Sequence, residues 1–206
     1  SDLAQRIQGG PLVLIRIDLD RFKQVNDVLG HDAGDFVLCH VARLMEAALR
    51  PGDLPARVGG DEFVILCRPD TAVDDARQLA ETLLAEILKP VVFDNKHCLF
   101  GASFGIAETQ DSLVQPSDLL SAADAALYRA KASGRGTVEV FSRVMRKEML
   151  RDRALADRFA QALETREIKP YVQTQHNARD GSLAGVEVLA RWEHPTEGTL
   201  LPHRFM

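Results

Sequence analysis

The chain has 206 residues, more than one ordinary domain, and its 46% hydrophobic content suffices for a sizeable core. A formal net charge of −5 leaves no broad basic surface for nucleic acid or an anionic membrane, so phosphate binding must be local. Cys39, Cys67 and Cys98 lie in apolar segments without CxxC or His-ligand spacing and read as reduced core residues of a soluble, cytoplasmic protein, with no membrane span or signal peptide.

Residues 1–8 read as the end of a helix begun upstream, stopped by Gly9-Gly10-Pro11. Residues 12–17 are a near-continuous apolar run, the pattern of a strand buried on both faces. It ends in acid. Asp18-Leu19-Asp20-Arg21-Phe22-Lys23 puts carboxylates at the C-terminal edge of that strand and a lysine in the first turns of a helix, an arrangement suited to a metal–phosphate site. From Asp32 the positions Val37, Leu38, Val41, Leu44, Met45 and Ala48 follow a helical period, ended by Arg50-Pro51-Gly52-Asp53.

A hairpin follows, with Leu54 to its N-terminal side and Phe63-Val64-Ile65-Leu66 as its return strand. Gly59 and Gly60 at the tip supply the positive φ of a tight primed turn. Asp61 and Glu62 beside them repel each other, and a divalent cation held by oxygen ligands explains the pair; the competing reading is a polar turn in water. Thr71-x-x-Asp74 is a capping-box start for a helix burying Ala76, Leu79, Ala80, Leu83 and Ile87. Residues 91–93 and 99–107 make a strand pair around Asn95. A helix opens at Ser117 with Leu120, Ala123, Leu127 and Ala130 buried, stops at Gly134, and leads into a last strand over 137–141. The order β-α-α-β-β-α-β-α-β predicts an α+β fold, helices against a mostly antiparallel sheet. Residues 143–167, charged and with Leu155, Phe159 and Leu163 at four-residue steps, read as a linking helix. Residues 168–173 and 183–192 read as two strands around Asp180-Gly181.

Three separated motifs, Asp18-Leu19-Asp20-Arg21-Phe22-Lys23-Gln24-Val25-Asn26-Asp27, Gly30-His31-Asp32-Ala33-Gly34-Asp35 and Gly59-Gly60-Asp61-Glu62-Phe63, resemble the GGDEF family of diguanylate cyclases over residues 1–142. Ser103-Phe104-Gly105-Ile106-Ala107 matches the family again. The Asp-x-Leu-Thr-Gly-Leu-x-Asn-Arg segment usual ahead of this point does not occur, which implies an N-terminal edge cut short. Residues 168–206 resemble the opening of an EAL phosphodiesterase domain through Gln173, Glu187-Val188-Leu189 and Arg191, with Val188 and Thr174 as departures from its pattern. A barrel of that kind needs about 250 residues, so this remnant is expected to be inactive.

The resemblance implies a nucleotidyl-cyclase, palm-like fold that joins two GTP into cyclic di-GMP with loss of two pyrophosphates, working as a homodimer. It implies Mg²⁺, or Mn²⁺, on Asp18, the Leu19 carbonyl, Asp61 and Glu62, with Asp61 and Glu62 catalytic. Guanine presents N1–H and a 2-amino group as donors, and Asn26 and Asp35 correspond to the family's acceptors; a turn cap and a helix start are their plain alternatives. Phe22, Lys23, Gly59, Gly60, Lys131 and Arg135 correspond to its other substrate contacts, although Lys131 and Arg135 would equally serve as solvated helix-end charges. Arg50-x-x-Asp53 corresponds to an inhibitory site for the product, or else to a surface ion pair. The competing function is a silent module that binds GTP or cyclic di-GMP and regulates an adjacent EAL domain.

Overall fold

A computed structural model describes residues 12–109 and 115–205, so the helix end expected at residues 1–8 lies outside the described residues. The chain divides into two compact units, Ser1–Met145 and Arg146–Met206.

The first unit is built on β1 (Val13–Asp20), the middle strand of a five-stranded sheet. Its neighbours are β3 (Glu62–Leu66) and β6 (Gly101–Glu108), both antiparallel to it. β2 (Leu54–Arg57) lies outside β3, and β7 (Val138–Val140) pairs parallel with β6, giving the order β2-β3-β1-β6-β7. The mostly antiparallel α+β sheet expected from the sequence is present. β1 runs on past residue 17 to Asp20 because β6 keeps pairing with it as far as Gly101. The chain then turns at Arg21, left-handed at φ 65°, into α1 (Phe22–Leu29). Gly30, at φ 91°, is the only residue between α1 and α2 (His31–Ala48), a conformation that L side chains resist.

Alternation along β1 feeds two cores. Val13, Ile15, Ile17 and Leu19 join Val25, Val37 and Met45 of α1 and α2, and Ala80, Leu83 and Ile87 of α3 (Val73–Ile87), in the larger cluster. Leu12 and Leu14 join Leu119, Ala122 and Ala123 of α4 (Pro116–Ala132) on the opposite face. Burying a side chain of this size is worth about 1.5–3 kcal/mol, and β1 gives such residues to both layers.

Several local expectations are corrected. Val91–Phe93 (β4) pairs with Lys96–Cys98 (β5), not with residues 99–107. Asp94 and Asn95 both have positive φ, 46° and 59°, so the chain reverses in two residues and pairs at once. Gly59 and Gly60 do not have positive φ, so no primed turn forms at the tip of β2–β3. Thr71 does not cap α3: its hydroxyl donates to the Arg68 carbonyl, and Ala72 stands at the cap. Leu119, not Leu120, joins Ala123, Leu127 and Ala130 on the buried face of α4. Cys39 is exposed, while Cys67 and Cys98 are buried, and burial pushes the Cys67 thiol up to about 12.

The second unit packs α5 (Arg143–Glu164), whose first residues belong to the first unit, against an antiparallel sheet of order β10-β9-β8. Its strands are β8 (Ile168–His176), β9 (Leu183–His194) and β10 (Gly198–Leu200). Trp192, fully buried, packs with Leu155, Ala162 and Leu200. Leu163 is 54% exposed: the buried stripe runs through Leu155 and Ala162, and four-residue steps drift off it. The described strands of this unit close no barrel. Among the described residues, no helix is long and apolar enough to cross a membrane.

Candidate active site

Because the odd positions of β1 are committed to the larger core, its even positions from Leu14 onward face α4. Leu14 packs there among leucines, but the next three even positions are charged. Each finds an oppositely charged partner on α4 or the loop after it: Arg16 with Asp124, Asp18 with Lys131, Asp20 with Arg135.

Asp18 stands directly across from Glu62 in the β1–β3 register. The Leu19 amide donates to the Asp61 carbonyl at 3.1 Å, which draws the tip of the hairpin to the end of β1. β1 and β3 are neighbours, and Asp18, Leu19, Asp61 and Glu62 meet at one end of that strand pair. Asp18 is 8% exposed, and its carboxylate lies 2.6 Å from Lys131 Nζ. Burial holds the Asp18 carboxyl above its ordinary value; Lys131 pulls it down, and the charges of Asp61 and Asp20 push it up. Glu62 accepts from Arg16 Nη2 at 3.2 Å. Arg16 Nε lies 2.7 Å from Asp124 Oδ1 without hydrogen-bond alignment, an ion pair only.

The hairpin tip is held by Arg57, whose Nε and Nη2 both donate to the Gly60 carbonyl, at 3.0 and 2.7 Å. The Val58 amide donates to Glu62 and the Glu62 amide to Gly59. A Cβ on Gly60 would meet nothing within 4 Å, so this glycine leaves open space above its backbone. Arg16, Arg57 and Asp124 escaped the sequence reading, and Asp20 and Ser103, though inside motifs it named, were given no individual role. A charge in the middle of an apolar run was a legible signal for Arg16; nothing local marks Arg57 or Asp124.

Phe22 is buried at the start of α1, and Lys23 beside it is exposed. Asn26 is half-buried and Asp35 exposed at the α1–α2 corner. Gly34 lies against Asn26: a Cβ there would lie 1.9 Å from Asn26 Oδ1, so the side chain of Asn26 fills the space over this glycine. Arg135 is largely exposed after α4.

Arg50 and Asp53 lie at the open end of the β2–β3 hairpin, about 13 Å of strand from the tip at ~3.3 Å per residue. Asp53 is already engaged, accepting from the Arg50 amide at 2.9 Å and the Arg68 amide at 2.8 Å. The Arg50 side chain is exposed beside a 370 Å³ cleft that Asp53 and Cys67 also line. In the second unit Gln173 and Glu187 are cross-strand partners, both exposed, and Arg191 donates to the Ala190 carbonyl.

The oxygens of Asp18, Asp61 and Glu62 are the hard donors Mg²⁺ prefers, carried on adjacent strands. Among the described residues, however, no three carboxylate, imidazole or thiol groups converge as ligands, because Lys131 holds Asp18 and Arg16 holds Glu62. The set fits a cation provided those two side chains release it.

The chain is similar to known proteins over nearly its whole length. Residues 1–137 match the family "Diguanylate cyclase, GGDEF domain", and residues 156–206 match the EAL domain. The bifunctional diguanylate cyclase/cyclic di-GMP phosphodiesterase MucR of Pseudomonas aeruginosa is 38% identical over 190 residues, 92% of this chain and 28% of that protein. The cyclic di-GMP phosphodiesterase NbdA of the same organism is 34% identical over 202 residues, 98% of this chain and 26% of that one. The chain thus spans about a quarter of the length of the curated relatives it matches. Among solved structures, the GGDEF domain of TpbB from Pseudomonas aeruginosa superposes with a TM-score of 0.67 at 34% identity, covering 72% of this chain and 90% of that one. With a family model matched over about two thirds of its residues, the chain belongs to the GGDEF family, followed by the opening of an EAL domain.

Proposed function

We propose that the first unit is a diguanylate cyclase that condenses two GTP into cyclic di-GMP. The observation that carries this reading is the pairing of Asp18 with Glu62 across β1–β3, with Lys131 2.6 Å from Asp18. Carboxylates that can hold a cation and a lysine that can hold a phosphate then occupy the same few ångströms. Asp18, the Leu19 carbonyl, Asp61 and Glu62 would hold Mg²⁺, or Mn²⁺. When bound, that ion neutralises phosphate charge and lowers the pKa of a coordinated hydroxyl.

The chain's own groups do the rest. Asn26 and Asp35 accept from the guanine edge, and adenine would leave Asp35 facing an acceptor. Lys131 transfers from Asp18 to the triphosphate, with Lys23, Arg135 and the amides at the start of α1. Gly59 and Gly60 let the hairpin backbone approach the nucleotide. Each 3′-hydroxyl oxygen bonds to the α-phosphorus of the other GTP, the α–β anhydride bond breaks, and pyrophosphate leaves. The hydroxyl proton passes to Asp61. Two such transfers close the ring, so two chains, each holding one GTP, act together. The purified chain with GTP and Mg²⁺, its nucleotides resolved by chromatography, should yield cyclic di-GMP and two pyrophosphates per ring. GTP bound but unchanged would overturn the reading.

That second outcome is the signature of the alternative, a module that binds GTP or cyclic di-GMP and regulates an EAL phosphodiesterase. One observation favours it: NbdA, aligned over 98% of this chain, is named a phosphodiesterase alone. We assign no hydrolysis to the second unit, where Glu187 supplies one acid and Gln173 an amide across from it, too few for a two-metal site.

A further inference from the structure

We propose that Asp20 is a positioning residue for the phosphate-binding end of α4, holding the loop of Gly134, Arg135 and Gly136 against the sheet so that Arg135 points to the nucleotide. The inference rests on the assignment of Arg135 to the triphosphate. Asp20 is the last residue of β1, 6% exposed, and both of its oxygens are occupied. The Ser103 hydroxyl lies 3.0 and 2.9 Å from them. The Gly136 amide donates to Asp20 Oδ2 at 3.1 Å and also reaches Ser103 Oγ at 3.3 Å. Arg135 Nε stands 3.8 Å from Asp20 Oδ1, with the side chain 60% exposed.

The loop held in this way is one that the chain would not adopt unaided. Gly134, Arg135 and Gly136 are consecutive residues at positive φ, 120°, 65° and 61°. The middle one carries a side chain in the left-handed region, which is unfavourable for any residue with a Cβ. The Arg135 amide closes the last turn of α4 on the Ala130 carbonyl, and the Gly136 amide, one residue on, is held by Asp20. A buried anion at this point both receives the amide and faces the guanidinium, which keeps the largely exposed Arg135 side chain along a 610 Å³ cleft that Arg21 also lines. Asp20 therefore differs in kind from Asp18, two residues earlier on the same face: its oxygens are committed to the protein, and it is not a ligand.

Asp20→Asn keeps the shape, removes the charge and offers an amide donor where donors already point. Ser103→Ala removes the other support and is the milder variant should Asp20→Asn fold poorly. Hydrogen exchange read by NMR should show the Gly136 amide exchanging at least about tenfold faster in both variants, with the Ile15 amide at the centre of β1 unchanged. GTP affinity, by calorimetry, should fall about tenfold while GMP affinity stays the same. Asp20→Asn combined with Arg135→Ala should be no weaker than Arg135→Ala alone. Unchanged Gly136 exchange, equal losses for GTP and GMP, or additive losses in the double variant would each overturn the proposal. A wild-type chain that binds no GTP would sink the cyclase reading instead, and the Gly136 exchange would still decide the role of Asp20.

Discussion

Asp18 sits in the most conflicted environment of the site, taken out of water, beside Asp61 and Asp20, and compensated by Lys131 alone. Its folded pKa is raised, chiefly by burial, so between its ordinary value of 3.8 and the folded value the native state binds more protons than the unfolded one. Stability from this group therefore falls as pH rises through that window, and at neutral pH the ionised carboxylate is a net strain on the metal-free fold. Asp18→Asn should melt above the wild type at pH 7 in the presence of chelator, with the gap closing as pH falls towards 3.8; thermal melts across that range check it, and a variant that melts lower at pH 7 would refute the balance described. Arg50 and Asp53, a single motif in sequence, are unequal in the fold. Asp53 accepts two backbone amides, so Asp53→Ala should cost about 1–2 kcal/mol of stability, while Arg50→Ala at an exposed position should cost little. Arg50→Ala is thus the clean test of product inhibition: cyclic di-GMP binding should weaken about tenfold or more in calorimetry, with turnover rising at high product, and unchanged affinity would leave Arg50 a plain surface charge. The acids were legible in sequence because adjacent carboxylates need a cause. The pairing of Asp18 with Lys131 was not, because Lys131 comes from an element distant in sequence, and one helix carries many charges that meet only water.

At the scale of elements, the site depends on how closely α4 approaches β6. Gly105 sets that distance: a Cβ there would lie 2.3 Å from both the Ala123 carbonyl and the Leu127 amide, backbone atoms that no rotamer can move aside. Gly105→Ala should cost about 1–3 kcal/mol and lower the melting temperature by several degrees. Since α4 also carries Lys131, GTP binding should weaken with it. Gly60→Ala makes the contrast. Its Cβ meets nothing within 4 Å and its φ is not positive, so the melt should stay within about 0.5 kcal/mol of wild type while cyclase turnover drops. A Gly60→Ala chain that melts much lower would mean the glycine serves the fold instead. The sequence predicted most of the helices and strands of the first unit, since long periodic runs such as the one from Val37 to Ala48 leave little choice of face. It misplaced the short ones. Asn95 was legible as a turn, but not that Asp94 also turns left-handed, which ends β4 and frees β6 for the main sheet. The tip glycines misled for the opposite reason: a Gly-Gly pair permits positive φ, and here Arg57 holds Gly60 in another conformation.

For the molecule as a whole, the palm-like fold was legible because one strand, β1, feeds both cores and its acidic end can reach only one sheet edge. Which unit claims the first residues of α5 was not, because nothing in a charged helical run marks the division between Met145 and Arg146. On the proposed cyclase reading, the edge that gathers Asp18, Asp61, Glu62 and Lys131 serves one nucleotide. Closing a ring from two GTP requires each 3′-hydroxyl to meet the α-phosphate of the other, so the competent species we propose is a pair of chains whose site edges face each other. Turnover per chain should then rise in proportion to protein concentration where monomer prevails, and level off once pairs predominate. A dilution series of initial rates, run beside sedimentation over the same concentrations, tests this: the half-maximal rate should coincide with the dissociation constant of the pair. Mixing wild type with excess Glu62→Gln should depress turnover below that of wild type alone, because mixed pairs carry one working edge and cannot complete both transfers. Constant turnover per chain across a range in which sedimentation finds only monomer would show that a single chain makes the ring, and would remove the two-edge arrangement altogether.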